Sequence, residues 1–375
     1  MRLLLLALNI VVASCFLKAQ TKEFYLFVGT YTTGKSEGVY VYKFNTNTAT
    51  TTLVSTSKID NPSYLAISKN ERFVYSINES GGKRAGKATA FAFDKKTGTL
   101  QIVNQQFIGG NGPCYVSVDR ANKWLFAANY TSGSISVLSL LSNGAIDTLQ
   151  QVEQYGGKSI NLQRQKEPHA HTIVLSPDEK RVFTTDLGTD KIHQYKFVSS
   201  AKHSPLEITT DSIIQSTLGN GPRHIAFHPT KKIMSVVNEL NGTIDVFDYA
   251  STKPMLLQTI STDSTNKLDK GSADIHYSPD GKFLYVSNRG NENNIGIFSV
   301  DKKSALLKLV ALQSTMGKVP RNFMIDPTGN YLLVANQKSD NIVVFKRNAQ
   351  TGLLYFTNQI IDVPSPSCLK MMSIQ

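Results

Sequence analysis

One phrase recurs along this chain and limits what it can fold into. It opens on Pro, His or Ala, runs through a short apolar strand and a turn, and ends on a second apolar strand closed by Asn or Asp. Copies span Pro62–Asn78, Pro113–Asn129, His171–Asp186, Pro222–Asn238, Ala273–Asn288 and Pro320–Asn336. The closing residue falls at 78, 129, 186, 238, 288 and 336, giving steps of 51, 57, 52, 50 and 48. A period of this length marks one supersecondary unit used repeatedly, and it must be found before domains are counted.

The two ends supply a seventh copy. Phe24-Tyr-Leu-Phe-Val-Gly-Thr30 matches the second strand of the phrase, and Pro366-Ser-Cys-Leu-Lys-Met371 matches the first. Each period also carries two later strands, such as 135–138 and 342–345. These segments are rich in Val, Ile, Tyr and Phe, with Gly, Asn and Asp-Gly turns between them. No amphipathic helical stretch of useful length interrupts them. Four short strands per ~50 residues predicts an all-β, seven-bladed β-propeller. Its last blade is closed by the C-terminal strand joining the N-terminal strands, which removes an open sheet edge. The 375 residues, 41% hydrophobic and 18% charged, are thus expected to form one propeller domain over 20–375.

The first residues read as an address. Arg2 precedes an apolar run from Leu3 to Ala13, too short for the ~20 residues of a spanning helix. This pattern predicts a signal peptide over 1–19 and an exported, periplasmic or secreted protein. Cleavage after Ala19 is the favoured reading; a lipid anchor at Cys15, in Val12-Ala13-Ser14-Cys15, is the other. No later segment is apolar enough for a transmembrane helix. Three cysteines exclude a disulfide framework. The net charge of +12 favours anionic partners. Nucleic acid is a poor guess among them, because the lysines scatter over many turns and no binding motif is present.

Propeller topology brings two columns of residues to one channel mouth, on loops held by a rigid scaffold. The position leading into each first strand reads Ser63, Cys114, His171, Arg223, Ala273, Arg321 and Ser367. The position after each second strand reads Tyr31, Glu79, Tyr130, Leu187, Glu239, Arg289 and Gln337. The Asn column repeats in register and is expected to hold turns. Ionisable residues that break the repeat are the better functional candidates: His171, Arg223, Glu239, Arg289 and Arg321. The alternative is an ion-pair network that only seals the channel. His169 with His171, and Asp274 with His276, have spacing compatible with metal ligation, but no metal is expected. Cys114 and Cys368 are expected as buried thiols. The basic loop 80–87 lies on the same face, and Tyr155–Pro168, which lengthens one period to 57 residues, is a candidate lid.

Taken together, Gly29-Thr-Tyr-Thr32, Asn78-Glu79, His171 with Ser176-Pro-Asp178, Pro222-Arg-His224, Asn238-Glu239-Leu240, Ser287-Asn-Arg-Gly290 and Pro320-Arg-Asn-Phe323 resemble the seven-bladed lactonase family. Its members include propeller-type 6-phosphogluconolactonases and fungal carboxymuconate lactonising enzymes. The resemblance covers residues 24–372. It implies a lactone hydrolase that acts on a small anionic sugar lactone; no cofactor and a monomer are expected. It gives His171, Glu239, Arg223 and Arg289 catalytic roles. Arg321, His276, Glu79, Asn322 and Tyr130 make up the substrate-binding set. In the expected mechanism Glu239 activates water, His171 moves the second proton, and the arginines hold the anion and the developing oxyanion. Two alternatives stay open: lactone formation by a carboxymuconate cyclase-like reaction, and a non-catalytic exported propeller that binds an anionic sugar or a protein. A phosphorylated sugar lactone is a cytosolic metabolite, which sits uneasily with a signal peptide.

Overall fold

A computed structural model describes residues 23–79, 85–263 and 271–374. The expected signal peptide, Cys15 and most of the basic loop (80–84) lie outside the described residues. The described chain is all strand and turn. Seven four-stranded antiparallel sheets follow one another in sequence order. Six are simple meanders, such as the sheet of Pro113–Val118, Trp124–Asn129, Ser134–Leu140 and Ile146–Gln154. The seventh pairs the last strand, Pro366–Ser373, with the first, Glu23–Thr30, from Phe24↔Ser373 to Thr30↔Pro366. The ring closes as the two half-repeats predicted.

Burial follows position in each blade. The second strands are almost wholly buried, and Phe73–Asn78 and Phe283–Asn288 are buried at every residue. They are sandwiched between neighbouring blades, so they read as continuous Val, Ile, Leu, Tyr and Phe. The outermost strands alternate: Leu307–Ser314 runs buried, exposed, half-buried, exposed. The apolar clusters lie between adjacent blades; one unites Val237, Val246, Ile275, Leu284 and Phe298 from two successive sheets.

The recurring Ser-Pro-Asp phrase is a hairpin device. Ser176 Oγ donates to Asp178 Oδ1 and accepts from the Arg181 amide. Ser278 does the same with Asp280 and Phe283. Three residues after the capping side chain the backbone turns left-handed, at Glu71, Asn122, Glu179, Gly281 and Gly329. Such local side-chain bonds stabilise turns that the ladder cannot.

The Asn column does hold loops together. Asn78 Nδ2 donates to the Asp60 carbonyl, and Asn336 Nδ2 to the Thr315 carbonyl. Asp186 accepts from the amides of His169 and Gly188.

One feature of the first strands was invisible in the sequence. In six blades the ladder slips by one residue at their start: Pro113↔Asn129 is followed by Tyr115↔Ala128, and Pro222↔Asn238 by His224↔Val237. The residue left over is Cys114, His171, Arg223, Arg321 or Ser367, with the fifth-period slip between Ser272 and Ile275. These β-bulges fall on the lead-in column. A bulge bends its strand and re-aims the extra side chain.

Candidate functional site

The bulges and the loops after the second strands meet at a pocket of about 200 Å³, lined by Glu79, Cys114, Tyr130, Arg164, His171, Glu239, Arg289 and Arg321. Its centre is the buried carboxylate of Glu239. Oε1 accepts from Arg164 Nη2 at 2.6 Å. Oε2 accepts from Arg289 Nη2 at 2.8 Å and from Arg223 Nε at 2.9 Å. Burial alone would raise the Glu239 pKa; the arginines 289, 223 and 164 outweigh it and hold the carboxyl well below its ordinary range. A carboxylate so stabilised is a weak base. The expectation that Glu239 activates water does not suit this clamp.

His171 is 5% exposed. Its Nδ1 has no hydrogen-bond partner among the described residues. Burial, then Arg223, His224 and Arg321, push its pKa well below the ordinary value, so the ring is neutral. Tyr130 packs edge-on against it at 5.6 Å between ring centroids, and stacks on His169 at 4.4 Å. Arg321 sits over the Tyr31 ring at 5.1 Å, and no carboxylate of a described residue lies within ion-pairing distance of it. Across the pocket, Glu79 Oε2 accepts from Tyr31 at 2.7 Å and Ser63 at 2.5 Å. Around this space four arginines face two carboxylates, an excess of two positive charges in a partly desolvated site.

Most of the sequence candidates are brought together. His171, Glu239, Arg289, Arg321, Glu79 and Tyr130 line the pocket. Arg223 lies one layer deeper, 1% exposed, beneath Glu239. His276 and Asn322 do not reach the pocket. Both are bonded to the buried carboxylate of Asp274 further down the channel, His276 Nε2 at 2.9 Å. They stand three and one residues past the bulged position and turn away from the mouth. Of the pairs weighed as metal ligands, His169 Nδ1 contacts the Tyr130 carbonyl at 3.0 Å, and Asp274 and His276 bond to each other at 2.9 Å. Cys114 and Cys368 are free, buried thiols.

The residue that sequence reasoning missed is Arg164. It sits in the lengthened stretch 155–168, which is a fixed rim in this structure. Gln165, fully buried, donates to the Leu187 carbonyl and to Asp190 Oδ1, each at 2.8 Å, and Ser159 donates to Asp190 Oδ2. Asn161 Oδ1 caps the turn by accepting from the Arg164 amide at 3.1 Å. The side chain is thereby aimed at Glu239 and at the Tyr130 hydroxyl, 3.3 Å away. The extra length of that period was the available signal.

Comparison with known proteins bears on this site. The profile of the family described as "Lactonase, 7-bladed beta-propeller" matches residues 25–371. A protein of Formosa agariphila named 6-phosphogluconolactonase is 37% identical over 93% of this chain and 99% of its own length. A Bacillus subtilis protein of the same name is 36% identical over 92% of this chain and 97% of its own. The structure of a Pseudomonas aeruginosa periplasmic gluconolactonase superposes with a TM-score of 0.89 at 34% identity, covering 94% of this chain and all of that one.

Proposed function

The chain belongs to the seven-bladed β-propeller lactonase family, and from that premise we propose that it hydrolyses a small anionic sugar lactone, as a 6-phosphogluconolactonase-like enzyme. The observation that carries this reading is the pocket itself: a neutral histidine, its Nδ1 without a hydrogen-bond partner among the described residues, lines an arginine-rich space with surplus positive charge.

The chemistry uses these groups as follows. Arg321, which has no carboxylate partner among the described residues, and Arg164, 40% exposed at its side chain, receive the anionic group of the substrate. Arg289 faces the lactone carbonyl and stabilises the oxyanion that forms when water attacks. His171 accepts the proton of that water and returns it to the ring oxygen as the C–O bond breaks. An anionic substrate offsets the positive field of Arg321 and the other arginines, which raises the basicity of His171 when the substrate is in place. Glu239 keeps the arginines apart and oriented. The products are a hydroxy acid, ionised at neutral pH, and one proton.

Export belongs to the same proposal. It is supported by the Arg2 and Leu3–Ala13 pattern, and by a relative named as periplasmic. No helix among the described residues is long and apolar enough to cross a membrane. The proposed working form is a monomer. Unphosphorylated gluconolactone carries no anionic group for Arg164 and Arg321 to receive, so the charged pocket favours a lactone that bears a phosphate or a carboxylate. The deciding experiment is a panel of phosphorylated and unphosphorylated aldonolactones, with muconates alongside, assayed against His171→Ala. Hydrolysis of an aldonolactone, lowered at least ~100-fold in the variant, supports the reading. Equal rates in both proteins refute the assignment of His171, and turnover of muconates alone refutes the substrate class.

A further inference from the structure

Beneath the pocket lies a second polar group that the proposed chemistry leaves unused. Asp274, 1% exposed, is its hub. Oδ1 accepts from His224 Nδ1 at 2.8 Å and from the Ile275 amide at 3.0 Å. Oδ2 accepts from His276 Nε2 at 2.9 Å, from Asn322 Nδ2 and from the Phe323 amide at 3.3 Å. The carboxylate thus ties together the first strands of three successive blades.

His224, 4% exposed, has its other ring nitrogen 3.2 Å from Arg223 Nη1. A guanidinium nitrogen can only donate. Nε2 must therefore be the bare acceptor, and the ring proton must sit on Nδ1, where the Asp274 carboxylate receives it. Burial and the neighbouring Arg223 hold the His224 pKa down to about 4, so the ring is neutral and has one proton to place. The Arg223 guanidinium is fixed on three sides, by His224, by the Ala273 carbonyl and by Glu239 Oε2.

We propose that Asp274 and His224 are positioning residues for the arginine clamp. Asp274 sets the His224 tautomer, His224 orients Arg223, and Arg223 seats the Glu239 carboxylate against which Arg164 and Arg289 are aligned. This inference rests on the lactonase reading for its kinetic consequence and on geometry alone for the tautomer. It also gives His276 and Asn322 a place: they secure the far oxygen of Asp274 and do not touch the substrate.

Two measurements test it. The first is nitrogen-15 NMR of the histidine side chains in the wild-type protein. The expected result is His224 protonated at Nδ1, with that state lost or mixed in Asp274→Asn; a proton on Nε2 in the wild type overturns the proposal whether or not any lactone is hydrolysed. The second is steady-state kinetics of folded His224→Phe and His224→Gln, with circular dichroism confirming the fold at the assay temperature. His224→Phe removes the acceptor for Arg223, and kcat falls at least ~10-fold while KM changes less than ~3-fold, because Arg164 and Arg321 still bind the anion. His224→Gln places an amide oxygen near the lost Nε2 and recovers most of kcat. An unchanged kcat in His224→Phe, or no recovery in a folded His224→Gln, overturns the positioning role. Should the wild type hydrolyse no lactone, the lactonase reading fails and the NMR result still decides the tautomer.

Discussion

Replacing Glu239 by Gln keeps the shape of the side chain and removes the charge that three guanidinium groups share. In the native site the carboxylate accepts at 2.6, 2.8 and 2.9 Å. A glutamine offers one oxygen and, in place of the other, an amide that meets a guanidinium donor to donor. Leaving one member of a buried ion pair uncompensated costs about 3–5 kcal/mol. Arg164 is 40% exposed and can recover water, whereas the Arg223 side chain, 2% exposed, cannot. The lower end, about 3 kcal/mol, is therefore expected. With a urea m-value of about 3 kcal/mol/M, this shifts the unfolding midpoint down by about 1 M. Binding of an anion responds in the opposite sense. The pocket gains a net positive charge, and one unit charge at about 5 Å with an effective dielectric of about 20 amounts to up to ~3 kcal/mol. 6-Phosphogluconate, the product from the phosphorylated lactone of the proposed panel, is thus expected to bind at least ~10-fold more tightly, while turnover falls ~100-fold because the arginines are no longer placed against the carbonyl. The assay is urea denaturation with and without product, alongside lactone hydrolysis. A midpoint within ~0.2 M of wild type, or weaker product binding, would refute the electrostatic account of the clamp.

Other outcomes follow from the same geometry. Arg164→Ala removes one charge-assisted bond and one anion contact, so kcat/KM is expected to drop ~10–100-fold with stability little changed; a wild-type value would remove Arg164 from the site. A Cβ at Gly188 would lie 1.9 Å from the Glu167 carbonyl, so Gly188→Ala must displace the rim and is expected to lower activity nearly as far as Arg164→Ala does, which lactone kinetics will show. His193 and His224 titrate near 4 when folded, and His171 well below 6.5, all chiefly because burial disfavours the charged ring. Between pH 6.5 and 5 the unfolded chain binds protons that the folded one refuses, so stability falls with falling pH by up to about 1.4 kcal/mol per unit for each histidine. Urea midpoints that stay flat across that window would show these rings to be solvated.

How much of this was legible beforehand depended on the kind of signal. The blades were legible because each Asn or Asp of the repeat closes the same strand, and a period near 50 admits few folds. Closure was legible because the half-repeats at Phe24 and Pro366 need each other. The pocket was legible where ionisable residues broke the repeat, at His171, Glu239, Arg289 and Arg321. It was not legible how deep each would lie: Arg223 occupies the same column as His171 yet ends beneath Glu239. The direction of His276 and Asn322 was hidden too, because a bulge has no sequence mark here and changes which neighbours share a face. Arg164 escaped because nothing in its residue type distinguished it from other surface arginines; only the long loop around it was unusual.

The bulges have a consequence for how such a site can change over time. The extra residue at each one is skipped by the pairing between first and second strands, so replacing its side chain leaves that register intact. Six slots of this kind face one axis, filled here by residues as different as Cys114, His171, Arg223, Arg321 and Ser367. Substitution at a slot can alter the chemistry at the mouth while the sheets beneath keep their pairing. The ring thus separates the residues that hold the pairing of its strands from those that set the chemistry at its mouth.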